Sequence, residues 1–292
     1  MAHANGSSGR GRQSTSPSEC LDLLSRKRQE LIRPVFESPR EYVLLSTRRL
    51  AQKLHVNSAT AVRIVQSMGF VSYKEFQRYL YELAIFQATS LDTMHNTALR
   101  DPSPGAHARE AIEQDIRNLQ QLRTNLDCER VAALANRIHD ARRILILGGE
   151  LAASLAWFLH YHLLQLGLPA VRAATAGEMM HLTRAAGEKD LAIAISFRRC
   201  LRETVEGMKL ARANGVHCVA ITNTFVSPLA RFADEFFVVS VDSTSFGFSF
   251  AAPQSLIDGI VAACGYCRPE RNKPILKKVA EEQRKGFRWY PD

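Results

Sequence analysis

The sequence contains no uninterrupted apolar run approaching the ~20 residues that a membrane-spanning helix needs. Its first stretch, 1–18, is polar and rich in Gly, Ser and Arg, without the apolar core of a signal peptide. The expectations that follow are no membrane partner, a disordered leader over 1–18 and a cytoplasmic location. Cysteine is sparse and scattered: Cys20, Cys128, Cys200, Cys218, Cys264 and Cys267. Only Cys264 and Cys267 have a Cys-x-x-Cys spacing, and no second pair completes a four-ligand zinc site. The pair follows a helical pattern near the end of the chain, not the strand-to-helix start of a thioredoxin-like motif. Reduced, structural thiols are expected, with no metal and no cofactor. His160 and His162 lie two apart on a helical pattern, which points them to different faces and not to one ion.

What is present is enough for two ordinary domains, in 292 residues of which 46% are hydrophobic. That composition excludes wholesale disorder. The formal net charge of +9 suits an anionic partner, nucleic acid being the commonest. A basic protein with no specific polyanion satisfies the charge equally well.

Three regions differ in pattern. From 19 to about 95 the periodicity is helical throughout. Region 96–125 reads as linker and linking helix, with Asp101-Pro-Ser-Pro-Gly105 as the breaker-rich centre and a helix from about 106 to 122. From 126 to 267 short apolar runs (144–147, 170–174, 191–196, 218–222 and 236–241) alternate with helical patterns. Runs of this length that do not alternate with polar residues read as strands buried on both faces. Repeated βαβ units then predict a five-stranded parallel sheet between helices. Residues 268–292 form a basic tail carrying Arg268, Arg271, Lys273, Lys277 and Lys278, read as a solvated terminal helix, with nonspecific DNA contacts as the alternative.

The most informative stretch is 46–70. Ser46 suits the N-cap of a helix running to about Leu54, and Asn57 caps the next. In that second helix Ala61, Ile64, Val65 and Met68 make one apolar stripe, and Gly69 sits where a helix ends. Thr60, Arg63 and Ser67 fall on the opposite face, with Ser58 and Ala59 at the tip. Two short helices across a tight turn are the geometry that places a helix in the DNA major groove. Arg63 suits a guanine edge or a phosphate, and Ser58 and Thr60 suit either. Arg48, Arg49 and Lys53 on the preceding helix would meet the backbone, as would Lys74 beyond the motif. Any small helical bundle can show such a stripe, so spacing alone leaves DNA binding and plain packing both open.

Arg49-Leu-Ala-Gln-Lys-Leu-His-Val-Asn-Ser-Ala-Thr-Ala-Val-Arg63, followed by Met68-Gly-Phe and Tyr73-Lys-Glu-Phe76, resembles the helix-turn-helix of RpiR-type transcriptional regulators. The resemblance continues through about Cys267. Ala220-Ile-Thr and Ser227-Pro-Leu-Ala-Arg-Phe-Ala-Asp234 are similar to blocks of the sugar isomerase (SIS) domain that these regulators carry. It implies an all-α DNA-binding bundle followed by a flavodoxin-like α/β sensor domain. It also implies a homodimer or homotetramer, double-stranded operator DNA as partner, and a small anionic effector such as a sugar phosphate or carboxylate.

The family carries its ligand on two loops, Gly-x-Gly-x-Ser and Ser-x-Ser-Gly-x-Thr. This sequence departs at both. Gly148-Gly149-Glu150-Leu-Ala152 has Glu for the second Gly and Ala for the Ser. Ser196-Phe-Arg198-Arg199-Cys200-Leu201 has two arginines and a leucine for Ser, Gly and Thr. Effector-contact candidates are therefore Gly148, Gly149, Glu150, Ser154, Ser196, Arg198, Arg199, Cys200 and Glu203. Two outcomes stay open: the arginines clamp a phosphate or carboxylate, or one pairs with Glu150 and plugs the pocket, leaving a domain that only dimerises. Trp157, Phe158 and Tyr161 are assigned to the core or to a subunit partner. The expected function is a DNA-binding regulator, repression being its expected direction. A sugar-phosphate isomerase would need a base and a proton-transfer partner. Glu150, Glu203 and His181 are the only candidates, and the missing hydroxyls count against catalysis. A purely structural DNA binder would need no pocket.

Overall fold

The computed structural model describes residues 17–87 and 103–285, and the chain divides into two compact units, 1–85 and 86–292. The leader therefore lies almost wholly outside the described residues, as do residues 96–102 of the expected linker.

Among the described residues the first unit is all-helical: α1 (Pro17–Asp22), α2 (Arg26–Glu37), α3 (Pro39–Tyr42), α4 (Thr47–Lys53), α5 (Ser58–Ser67) and α6 (Tyr73–Gln87). Ser46 caps α4 by accepting from the Arg49 amide, and Asn57 caps α5 by accepting from the Thr60 amide at 2.7 Å. The turn between them closes on His55, which takes a left-handed φ of 54°. There Val56 N donates to Ala51 O and His55 N to Gln52 O, so the last α4 carbonyls are satisfied without a glycine. Gly69 (φ 85°) ends α5 in the same way. The stripe Ala61, Ile64, Val65 and Met68 is buried. It closes over an aromatic cluster in which Phe70 packs edge-on against Phe76 (5.1 Å) and Tyr79 (5.2 Å).

The second unit begins with α7 (Pro104–Asn125) and α8 (Cys128–Asp140). The breaker-rich centre expected as linker is in part a helix start: Ser103 is the N-cap and Pro104 occupies the first turn. Proline fits there because its missing N–H would have no helical partner anyway. Five strands follow, β1 (Ile144–Leu147), β2 (Ala170–Ala173), β3 (Leu191–Ile195), β4 (His217–Thr222) and β5 (Glu235–Val238), separated by α9 (Ala152–Gln165), α10 (Ala176–Arg184), α11 (Arg202–Ala213) and α12 (Pro228–Phe232). After β5 come α13 (Ala251–Cys267) and α14 (Pro269–Lys285).

All pairings are parallel, in the order β2-β1-β3-β4-β5. Strand side chains alternate between faces. Ile144, Ile146, Ile193 and Ile195 meet α8, α9 and α13 on one side. Leu145, Leu147, Ala192 and Ala194 meet α10 and α11 on the other. The small residues of β3 let α11 approach that second face closely. The basic tail is not merely solvated. Asn272 is buried and donates to the carbonyls of Cys264 and Gly265, and Ile275 packs against Gly167.

Candidate functional site

In the first unit, capping places the tip of α5 in solvent: Asn57, Ser58, Ala59 and Arg63 are exposed and Thr60 is half-buried. Arg63 folds along its own helix, its Nε donating to the Ala59 carbonyl at 3.4 Å. Arg48 and Arg49 are exposed on α4, and Lys74 is exposed on the first turn of α6. Lys53 differs from expectation. Its ammonium donates to Glu41 at 2.7 Å and lies 4.2 Å from the centre of the Tyr42 ring, and the Glu41 hydrogen bond raises its pKa. It is thus engaged with α3 and not presented alone. Arg28 of α2, outside the motif, reaches the motif's exposed face, donating to Ser67 Oγ at 3.5 Å. Only folding could reveal this, because 39 residues separate the pair.

In the second unit the strand order reverses direction at β1 and β3, whose crossovers run to opposite sides. At such a switch point two loops diverge beyond the carboxyl ends of the strands and leave a crevice. They are 148–151 and 196–201, the two that the sequence singled out. Gly148 and Gly149 are buried beneath the first. A Cβ on Gly148 would stand 3.0 Å from Ala156 Cβ, so the bare backbone there serves the close packing of α9. Glu150 is exposed with φ 49°, an uncommon conformation for a residue with a side chain, at the place where the family has glycine. Ser154 spends its hydroxyl on the Leu151 carbonyl at 2.7 Å.

The second loop holds the cations. Arg198 is 5% exposed and has φ 50°. Its amide donates to Asn223 Oδ1 at 2.6 Å, and its guanidinium lies 4.9 Å from the centre of the Phe248 ring. Arg199 is exposed, Ser196 is buried and Glu203 is half-buried on the first turn of α11. Cys200 Sγ lies 3.3 Å from Ser227 Oγ, and burial pushes its thiol pKa up. Glu150 is exposed and has no ion pair among the described residues, so the Arg–Glu pairing of the second open outcome is not formed. Arg198 packs on an aromatic ring from a distant loop instead. Leu201 crosses the first loop, since a Cβ on Gly149 would lie 2.6 Å from its Cδ1.

Four residues here were not among the site candidates read from the sequence. Asn223 and Phe248 hold Arg198. Thr204, on the first turn of α11, and Thr222, ending β4, are fully buried with hydroxyls that find no partner among the described residues. A hydroxyl beside a loop that lacks its usual hydroxyls was the available signal for both threonines. Phe248 had none. His181 is exposed on α10, as Glu150 is on its loop. Among the described residues no group of three or more His, Cys, Asp and Glu side chains is placed to hold a metal ion. No described helix is long and apolar enough to cross a membrane.

These features define the class: a helix-turn-helix unit followed by a doubly wound α/β domain with a basic loop at its switch point. The family model of the SIS domain matches residues 137–263, within the second unit. Over 186 residues the chain is 23% identical to an HTH-type transcriptional regulator of Clostridium perfringens, an alignment covering 63% of this chain and 66% of that protein. The sugar isomerase domain of an RpiR transcription factor from Sphaerobacter thermophilus is 27% identical with a TM-score of 0.57, covering 60% of this chain and 98% of that domain. The Vibrio vulnificus NanR protein, solved with ManNAc-6P, shares the fold along 90% of this chain and 97% of its own, at 21% identity and a TM-score of 0.58. The chain is therefore similar to RpiR-type helix-turn-helix regulators with a SIS domain.

Proposed function

We propose that this chain is a sequence-specific DNA-binding regulator whose SIS domain dimerises and responds to a small anionic metabolite. The observation that carries the reading is the placement of Arg198 and Arg199 at the switch-point crevice, where sheets of this topology receive ligands. A guanidinium there supplies to a phosphate or carboxylate what the absent hydroxyls would have supplied. The ManNAc-6P complex of a protein with the same fold supports an anionic ligand. On the DNA side, Asn57, Ser58, Ala59, Thr60 and Arg63 present the tip of α5, while Arg28, Arg48, Arg49 and Lys74 supply phosphate contacts. Repression is the direction we favour. No catalytic role is assigned.

The test is a thermal-shift screen of the full chain against sugar phosphates, sugar acids and small carboxylates. A ligand at ~100 Kd contributes about 2.7 kcal/mol of stabilisation. A hit that Arg198→Ser abolishes establishes the sensor; silence across the panel sinks it. A second reading, a SIS domain kept for dimerisation alone, is favoured by one observation: Leu201 lies over the Gly149 backbone that a ligand would approach.

A further inference from the structure

Helix α7 is the first described helix after the segment that joins the two units, and its polar side chains are fastened to one loop, residues 239–250, between β5 and α13. Asn118 is 1% exposed. Its Nδ2 donates to the Asp242 carbonyl at 2.8 Å, and its Oδ1 accepts from Ser240 Oγ at 3.0 Å and from Gln114 Nε2 at 2.9 Å. Ser249 Oγ donates to Asp115 at the other end of the loop. A buried amide satisfied on both sides specifies one placement, because every alternative leaves a buried group unpaired. The same loop presents Phe248 to the Arg198 guanidinium at 4.9 Å and Phe250 to Phe197 at 5.6 Å. Two layers of contact therefore connect the switch-point loop 196–201 to α7.

We propose that residues 239–250 are a switch strap: an anion that draws Arg198 off Phe248 loosens the strap and, through Asn118 and Asp115, α7. This rests on the reading of 196–201 as an anion-responsive loop. The competition is physical. A guanidinium can keep a ring on its face while its edge donates to an oxyanion, so the two compete where the anion sits beyond reach of the seated side chain; there the bidentate charge-assisted pair, the stronger of the two, draws it off the ring. Without its cation Phe248 loses one of the contacts that seat the strap, the others being buried Val239 and Val241 and the Phe250–Phe197 pair. The groups holding α7 are then released together, because Ser240, Asp242 and Ser249 belong to one short segment. Coupling of this kind is reciprocal, so freeing α7 also loosens loop 196–201.

Hydrogen exchange of the full-length chain tests this without operator or effector. In Phe248→Leu and in Arg198→Met, amides of 112–119 are expected to exchange at least about threefold faster, with α8 and α11 unchanged. Asn118→Ser is expected to accelerate exchange at 196–201 in the reverse direction. Unchanged α7 protection in both loop variants overturns the strap. An equal rise in every helix overturns it too, since that marks general destabilisation. Inorganic phosphate is the added probe, expected to accelerate 112–119 in the wild-type chain and to add nothing in Phe248→Leu. If the variants respond and phosphate does not, the mechanical coupling stands and the anion-responsive reading of the loop falls. If phosphate protects 196–201 yet leaves α7 untouched, the loop binds anions and the strap is refuted.

Discussion

Leu201 lies across Gly149, so close that a Cβ on the glycine would stand 2.6 Å from Leu201 Cδ1 and 3.2 Å from the Ala174 carbonyl. One loop of the crevice thus rests on the backbone of the other. Gly149→Ala is expected to destabilise the chain by ~1–3 kcal/mol through overpacking. Leu201→Ala in the same molecule should recover part of that loss, which a double-mutant cycle in urea measures. Leu201→Thr removes the covering methyls and restores the family's hydroxyl. Sugar-phosphate binding that appears in Leu201→Thr, and is absent from the parent chain, would identify Leu201 as the residue closing the site. Binding unchanged by the substitution would exonerate it.

Arg63 and Arg28 separate by salt and sequence. On operator DNA, Arg63→Ala is expected to lose ~1–3 kcal/mol if the side chain reads a base, with a smaller loss on random duplex. Arg28→Gln should weaken both duplexes alike and lower the slope of log K against log salt by about 1. Fluorescence anisotropy at several salt concentrations distinguishes them. Equal behaviour of the two variants would make Arg63 a phosphate contact as well.

Asp190 sets a pH dependence. Its side chain is fully buried, where Arg142 holds it in two hydrogen bonds (2.9 and 2.7 Å) and Arg143 in a third (3.0 Å). Arg142 lowers its pKa first, Arg143 and the Gly187 amide add to that, and burial opposes them. Because the folded pKa lies below the unfolded value of ~3.9, this stabilisation is complete above that pH and lost as pH falls below it. Asp190→Asn should cost roughly 2–3 kcal/mol at neutral pH, less than a fully enclosed pair because Arg142 is 55% exposed and screened. The gap between variant and parent melting temperatures should narrow below about pH 4. A gap independent of pH would assign the loss to packing.

The thiols should divide by burial. Burial pushes Cys218 and Cys264 up to about 12, whereas Cys128 is exposed at the start of α8. A thiol reagent near pH 8 should label Cys128 first, and Cys218 and Cys264 only on unfolding. Rapid labelling of Cys264 in the native chain would reopen a redox role for the Cys264–Cys267 pair.

Much of this architecture was legible locally. The helix-turn-helix rests on signals a few residues apart: caps at Ser46 and Asn57, the stripe Ala61-Ile64-Val65-Met68, and Gly69 as terminator. The parallel sheet was equally readable, because β1 and β3 are apolar at every position and buried at every position. Where the reading slipped, two local signals competed. Ser103-Pro104-Gly105 has a linker's composition and also a helix cap's, and the long amphipathic run behind it decided for the cap.

By itself the sequence determined which segments are helix or strand, the two-unit order, and the departure of both loops from the family pattern. All of these depend on contacts between near neighbours or on residue chemistry. Tertiary structure alone decided what the unusual residues do. The sequence invites an ion pair between Glu150 and an arginine of the second loop, yet Arg198 packs on Phe248, Lys53 turns to Glu41, and Leu201 covers Gly149. Each choice is between partners brought together by chain closure over long separations. Burial then decides among them: a guanidinium leaving water takes the partner that the packed strap already holds in place, and no periodicity records which partner that is.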